Sequence, residues 1–273
     1  MLKEIMILQT IYLSLSRIIP IFARKKKTEM KRAIIVGASS GMGMAVSRLL
    51  LADGWDIGIA ARRVKALQQI KGISPEHVET AYIDVTADNA VSCLLELINR
   101  MGGINLFFLA SGIGKQNSDL DMDIELKTVE TNALGFTRMV DTAFNYFSEN
   151  CGGQIAVISS IAGTKGLGVA PSYSATKAFQ NRYIEALEQL SNMRHLSIKF
   201  TDIRPGFVDT DLLADGRQYP MLMKPEYVAR QIVKAIYSNR HVAVIDWKYR
   251  MLTALWRWIP TYAWRKLNIR TKG

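Results

Sequence analysis

The sequence predicts an α/β fold: a parallel sheet with helices on both faces. Three observations lead there. Short apolar, β-branched runs recur along the 273 residues, helix-like stretches separate them, and no internal repeat or low-complexity linker breaks the alternation. Strands spaced by helices pair in parallel, because parallel neighbours need long crossover connections, and those crossovers cover both faces of the sheet. The length exceeds the commonest domain size, yet a single α/β domain holds it and buries a large core. We therefore expect one domain over 31–246, an extension over 1–30 and a distinct segment over 247–273.

In chain order, the expected strands are 33–36, 57–61, 78–83, 104–110, 154–158, 196–203 and 241–245. The first, Ala33-Ile34-Ile35-Val36, leads into Gly37-Ala38-Ser39-Ser40-Gly41-Met42-Gly43 and a helix-like stretch over 44–53. Glycines between a strand and a helix let backbone approach a pyrophosphate, and the helix start points free N–H groups and its positive dipole end at the same charge. The second run ends in Ala61-Arg62-Arg63, and the fifth stops at Ser159-Ser160 before a small-residue turn, Ile161-Ala162-Gly163. Thirteen residues beyond Ser160 comes Tyr173-Ser174-Ala175-Thr176-Lys177, which on a helix places an ammonium one turn from a phenol. A free tyrosine titrates near pH ~10, and bringing it to neutrality takes ~3 units, roughly 4 kcal/mol, which a nearby cation and a charged cofactor supply. Lys177 is expected to lower the Tyr173 pKa in this way.

Together these residues resemble the short-chain dehydrogenase/reductase family over roughly residues 31 to 245. The family's glycine pattern, G-x-x-x-G-x-G, matches Gly37, Gly41 and Gly43, with Ser39, Ser40 and Met42 in the same turn. Its active-site serine, tyrosine, lysine and asparagine correspond to Ser160, Tyr173, Lys177 and Asn132, the last in Thr131-Asn132-Ala133-Leu134-Gly135. Asp84-Val85-Thr86 is similar to the segment that contacts the adenine ring, and Pro205-Gly206-Phe207-Val208-Asp209-Thr210 to the turn beside the nicotinamide carboxamide. One segment departs from the pattern. Where the family carries N-N-A-G, this chain has Leu109-Ala110-Ser111-Gly112, keeping the glycine and offering Ser111 for one lost hydrogen bond.

The resemblance implies a doubly wound Rossmann fold, with a seven-stranded parallel sheet and ligands at the carboxyl ends of the strands. It implies an enzyme that interconverts a carbonyl and a secondary alcohol with a nicotinamide dinucleotide. Tyr173 would exchange the proton, Ser160 hold the substrate oxygen, Lys177 hold the nicotinamide ribose and Asn132 position a relay water. In such folds an acid ending the second strand favours NAD, and an arginine there accommodates the extra phosphate of NADP. Here Asp56 stands at the strand's start and no acid ends it, so Arg62, forking a phosphate with Arg63 beside it, makes NADP the expected cofactor over NAD. A homodimer or homotetramer is implied as well. Two other readings stay open: a catalytically weak dinucleotide-binding sensor or scaffold, which the altered 109–111 segment favours, and an epimerase or dehydratase using the same tyrosine.

Metal chemistry finds no support in the spacing. Asp119, Asp121, Asp123 and Glu130 resemble a calcium loop, but Ile124 stands where such a loop needs glycine; His77, His195, His241, Cys93 and Cys151 have no metal-ligand spacing. Two lone cysteines fit a reducing compartment, so a cytoplasmic placement is expected. The formal net charge of +11 lies wholly at the ends: residues 1–30 hold six basic and two acidic side chains, and 247–273 hold seven basic and no acidic ones. The core between them is neutral overall and carries no electrostatic footprint for nucleic acid.

The last segment holds Trp247, Trp256, Trp258 and Trp264, four of the five tryptophans, and a helical wheel puts Met251, Leu252, Leu255 and Ile259 on one face with Arg250 and Arg257 turned away. Such a helix suits a membrane interface, placing the protein peripherally on the cytoplasmic face; packing over the active site or against another subunit is the alternative. Pro260 ends its first part. At the other end, 5–23 is apolar but broken by Gln9, Thr10, Arg17 and Pro20, short of the ~20 clean residues of a spanning helix. It is an amphipathic anchor, or else it precedes a natural start at Met30. Finally, 206–223, with Phe207, Leu212, Leu213, Tyr219 and Met221, is apolar enough to close over the site and suit a hydrophobic, lipid-like substrate.

Overall fold

The computed structural model describes residues 31–213 and 216–269. The chain divides into two units, Met1–Met30 and Lys31–Gly273, and every element below belongs to the second. The readings placed on residues 1–30 lie outside the described residues, as do Arg270 and Lys272.

The strands are β1 (Arg32–Val36), β2 (Asp56–Ala60), β3 (Val78–Ala81), β4 (Leu106–Leu109), β5 (Gly153–Ile158), β6 (Ile198–Arg204) and β7 (Val242–Val244). They form one seven-stranded sheet in the order β3-β2-β1-β4-β5-β6-β7, every pair parallel. This is the doubly wound α/β architecture expected. Chain order reverses at β1, where Ile34 lies opposite Gly58 of β2 on one side and Phe107 of β4 on the other. A crevice opens beyond the carboxyl ends of strands at such a reversal.

The helices are α1 (Gly41–Ala52), α2 (Val64–Lys71), α3 (Ala90–Arg100), α4 (Met122–Val129), α5 (Phe136–Glu149), α6 (Pro171–Met193), α7 (Pro225–Tyr237), α8 (Trp247–Trp258) and α9 (Thr261–Trp264). A π-helical turn, Glu130–Gly135, joins α4 to α5. Successive side chains of a strand point to opposite faces. Ile35 therefore joins a layer with Val46 and Leu50 of α1 and Ile232 and Ile236 of α7. Ile34 joins the other layer, with Leu94 of α3 and Val140 and Phe144 of α5. At about 1.5–3 kcal/mol for each large apolar side chain buried, these two layers hold the helices against the sheet.

Some boundaries differ from the sequence reading. β3 stops at Ala81 and β4 spans only Leu106–Leu109, because Ile83 and Ile104 are buried outside the strand ladder, in the layer of α3 and α5. Apolar character there records burial rather than pairing. α1 begins at Gly41 instead of residue 44, with Met44 N donating to Ser40 O at 3.2 Å, so two glycines lie inside its first turn.

The C-terminal helix also presents different faces. Tyr249 and Thr253 are buried and Leu252 and Trp256 pack against the core, whereas Met251 and Leu255 are exposed. The helix is apolar on two sides, and a wheel merges them into one. Beyond Pro260, Trp264 is buried, its Nε1 donating to Gly166 O at 2.8 Å, while Lys165 Nζ donates to Ile259 O at 2.9 Å. The tail thus packs over the loop that follows β5. Among the described residues no helix is long and apolar enough to cross a membrane.

Candidate active site

The crevice is built from segments that leave the carboxyl ends of the strands. After β5, Ser160 caps a short 3-10 turn, Ile161–Thr164, its Oγ accepting from Ala162 N at 3.0 Å, and its hydroxyl is hydrogen-bonded with the phenol of Tyr173. Tyr173, Lys177 and Gln180 follow one another on one face of α6, as spacings of four and three residues dictate. Lys177 is buried, with Nζ donating to Ile158 O at 3.1 Å and to Gln180 Oε1 at 2.9 Å, and it lies 5.8 Å from the centre of the Tyr173 ring.

The expected lowering of the Tyr173 pKa is not what these surroundings produce. Burial pushes the phenol up, and the Ser160 hydrogen bond offsets only part of that. The ammonium directs its protons at Ile158 O and Gln180 Oε1 rather than at the phenol. Burial in turn pulls Lys177 down to about 8, against the opposing charge of Asp202. Asp202 is itself buried and held by Arg204, whose Nη2 and Nε stand 2.6 and 2.8 Å from Oδ2, and by Ser159 Oγ. Near neutral pH the site therefore presents a protonated phenol beside an ammonium.

Asn132 is fully buried in the π-helical turn, whose wider spacing interrupts the regular helical register. Its Nδ2 donates to Ile113 O at 2.7 Å and Thr176 Oγ1 at 3.3 Å, and its Oδ1 accepts from Ile113 N at 2.9 Å, so the side chain clamps the loop after β4. Its main-chain oxygen accepts from Gln180 Nε2 at 2.8 Å. The side-chain amide of Gln180 thus links the Lys177 ammonium to the Asn132 main chain.

Between β1 and α1, Gly37 has φ +94°, and a Cβ there would stand 2.4 Å from Ser111 N; one on Gly43 would stand 2.2 Å from Gly37 O. Only glycine permits such contacts. The amides of 41–43 precede the first helical hydrogen bond and remain outside its ladder. Arg63 reaches over this turn, Nε donating to Ser39 Oγ at 3.3 Å and Nη2 to Ser40 Oγ at 2.5 Å, and meets Asp211 at 3.5 Å. Arg62 is exposed. Against burial, the Thr86 hydrogen bonds and the charge of Arg62 hold the Asp84 carboxyl below its usual range. Val85 packs on Gly135, where a Cβ would come within 2.7 Å of Val85 Cγ2. Ser111 contributes backbone to the glycine turn. Free amides, left-handed glycine and two guanidiniums together fit a dinucleotide.

These segments enclose a cleft of about 660 Å³. Ser160, Tyr173 and Lys177 line it with Met42 and Gly112; Pro205, Gly206, Val208 and Thr210 line it from the loop after β6; Leu252 and Trp256 of α8 also border it. A Cβ on Gly41 would meet Thr210 Cγ2 at 3.2 Å, so this loop touches the glycine turn. Sequence reasoning missed three residues that shape the cleft. Gly114 lies where a Cβ would be 2.6 Å from the Tyr173 ring, and the signal was a second glycine in Gly112-Ile113-Gly114. Tyr249 sets its ring against Gly206, where a Cβ would be 2.2 Å away; its hydroxyl accepts from Phe207 N at 3.1 Å and donates toward Pro220 O at 3.0 Å, pinning both ends of the 206–223 segment. Neither Tyr249 nor Gln180 gave any local signal. Among the described residues no cluster of His, Cys, Asp or Glu could hold a metal ion. Asp121 instead caps α4, accepting from Asp123 N and Ile124 N.

A family model described as short chain dehydrogenase matches residues 31–219. An uncharacterized oxidoreductase of Mycobacterium tuberculosis is 28% identical over 239 residues, covering 84% of this chain and 90% of its own. One from Staphylococcus aureus is 27% identical over 223 residues, covering 78% and 94%. Among solved structures, the alcohol dehydrogenase of the archaeon Thermococcus sibiricus, complexed with 5-hydroxy-NADP, has a TM-score of 0.69 at 25% identity, over 80% of this chain and 95% of its own. The 3-ketoacyl-(acyl-carrier-protein) reductase of Brucella melitensis, complexed with NADH, shows the same fold with a TM-score of 0.70 at 21% identity, over 79% and 96%. With its sheet order, its glycine turn and a family match running from the first strand into the cleft-lining loop after β6, this chain belongs to the short-chain dehydrogenase/reductase family of oxidoreductases.

Proposed function

We propose that the protein is an NADP(H)-dependent oxidoreductase that interconverts a carbonyl and a secondary alcohol on an apolar, lipid-like substrate, as a homodimer or homotetramer with peripheral membrane contact. One observation carries the reading: Tyr173, hydrogen-bonded to Ser160 and one turn from buried Lys177, lines the same cleft as the glycine turn. A bound nicotinamide dinucleotide supplies or accepts the hydride. Ser160 and Tyr173 hold the substrate oxygen, and Tyr173 gives that oxygen a proton as the carbonyl becomes an alcohol. Lys177, charged below about 8, then offsets the phenolate left behind. Burial raises the Tyr173 pKa, so the phenol enters the reaction protonated.

The NADP preference is read from the end of β2, where Arg62 and Arg63 stand and no acid does. Arg63 is engaged with Ser39 and Ser40, which leaves the exposed Arg62 to fork the extra phosphate. The structural neighbours bind an NADP derivative in one case and NADH in the other, so the fold accommodates both and the arginines bear the preference. Phe207, Leu212 and Leu213 in the cleft support an apolar substrate, and Leu126, Phe179, Leu190 and Met193, exposed along α4 and α6, support self-association.

Absorbance at the NADPH band tests this against a panel of ketones, aldehydes, keto-sterols and keto-lipids. The expected result is NADPH oxidation with the apolar carbonyls, faster than NADH oxidation. Failure of both cofactors with every compound would overturn it.

A further inference from the structure

α8 has two apolar faces and the described fold uses one. Toward the body, Tyr249, Leu252, Thr253 and Trp256 pack on the core and the cleft. On the opposite side Trp247, Met251, Leu255 and Trp258 are 57, 58, 63 and 85% exposed, and Tyr262 of α9 continues them at 71%. Spacings of four, four and three residues make this one stripe along the helix. Contiguous apolar surface of this kind marks an interaction site. Exposed Lys248, Arg250, Arg257, Arg265 and Lys266 accompany the stripe, and no acidic residue occurs from 247 to 269.

We propose that this stripe seats on an anionic membrane surface, with its aromatic rings at headgroup depth and its cations on the lipid phosphates, and that apolar substrate enters the cleft from the bilayer. Three features select lipid over protein. The charges are of one sign, so a second copy brought face to face would set cation against cation, whereas an anionic bilayer complements them. Tryptophan, tyrosine and leucine mixed with lysine and arginine are the composition of an interfacial helix. The same helix also borders the cleft from its inner face through Leu252 and Trp256, and exposed Ile269 lines the cleft too, so the element that carries the stripe is also a wall of the cleft. Substrate entry rests on the proposed reading of the cleft; docking does not.

The full chain is sedimented with phosphatidylglycerol or phosphatidylcholine vesicles at low and high salt, with tryptophan emission and sedimentation velocity read on the same samples. We expect binding to phosphatidylglycerol at least about tenfold stronger than to phosphatidylcholine, weakened by salt, with blue-shifted emission. The double variant Leu255→Glu, Trp258→Glu should bind at least about tenfold more weakly, and Leu255→Ser, Trp258→Ser should weaken it as well, excluding added charge as the cause. Both sites are exposed and outside the cleft, and circular dichroism verifies the fold. Wild-type protein left in the supernatant overturns the proposal, as do variants that bind like wild type. Self-association abolished by the variants, without vesicle binding, assigns the stripe to a second copy and also overturns it. A chain starting at Met30 should still bind; loss there, with the double variants binding normally, would give the role to the residues before it. NADPH oxidation of a short soluble carbonyl reports separately on the proposed activity, so either reading can fail visibly without the other.

Discussion

Replacing Gln180 with leucine takes one hydrogen bond from each of two buried groups, the Lys177 ammonium at 2.9 Å and the Asn132 carbonyl at 2.8 Å. The first loss carries the prediction. A hydrogen bond to a charged group contributes about 1.5–3 kcal/mol, and ~1.4 kcal/mol is one pKa unit, so losing it lowers an ammonium by about 1–2 units. Lys177, pulled to about 8 by burial, would fall further, so less of it carries its charge near neutral pH. The assay is the pH profile of kcat/KM for NADPH, which reports the free enzyme. Its alkaline limb should move down by about 1–2 units in Gln180→Leu, and a carboxylate at the same distance, in Gln180→Glu, should move it up. Losing the bond to the Asn132 carbonyl costs about 0.5–1.5 kcal/mol of stability, so thermal melts establish that the variant is folded where it is assayed. A Gln180→Leu profile superimposable on wild type would mean that this amide does not hold the charge on Lys177.

Other outcomes follow from the same geometry. Arg62→Ala should raise KM for NADPH by about 10- to 100-fold, the equivalent of about 1.5–3 kcal/mol, and leave KM for NADH nearly unchanged; steady-state kinetics with both cofactors checks this. Folding lowers the Lys177 pKa from the ordinary lysine range to about 8, so between those limits the unfolded chain binds more protons and stability rises with pH. Urea unfolding should show a gain approaching about 3 kcal/mol across that window, and Lys177→Met should abolish this rise. Gly206→Ala would place a Cβ 2.2 Å from the Tyr249 ring. Overpacking of that kind costs about 1–3 kcal/mol, visible as a lower Tm, with a raised KM for apolar carbonyls as the 206–223 segment shifts.

Local pattern made the frame of this molecule readable, and long-range packing hid the rest. Ala33–Val36 before Gly37, Gly41 and Gly43 announces a strand, turn and helix because each signal lies within a few residues of the next. Tyr173 and Lys177 were legible for the same reason: four residues on a helix are neighbours in space. The desolvation that raises one and lowers the other comes from the surrounding fold, and the spacing contains nothing of it. Gln180 meets Asn132 across 48 positions, and Tyr249 meets Phe207 across 42, so neither could be found by motif. Apolar residues on α8 were visible as a group. Which of them face the core depends on where Tyr249 lands, and that is set by Gly206 and Phe207 on a distant loop.

The proposed chemistry turns on the Tyr173 phenol donating the proton. Tyr173→Phe keeps the ring against Gly114 and removes only the hydroxyl that meets Ser160. Single-turnover oxidation of bound NADPH by an accepted carbonyl measures the step directly. NADPH should bind as in the wild type while the rate falls by about 10²- to 10⁴-fold. A rate within about twofold of wild type would contradict it, because proton transfer of this kind is worth far more than that.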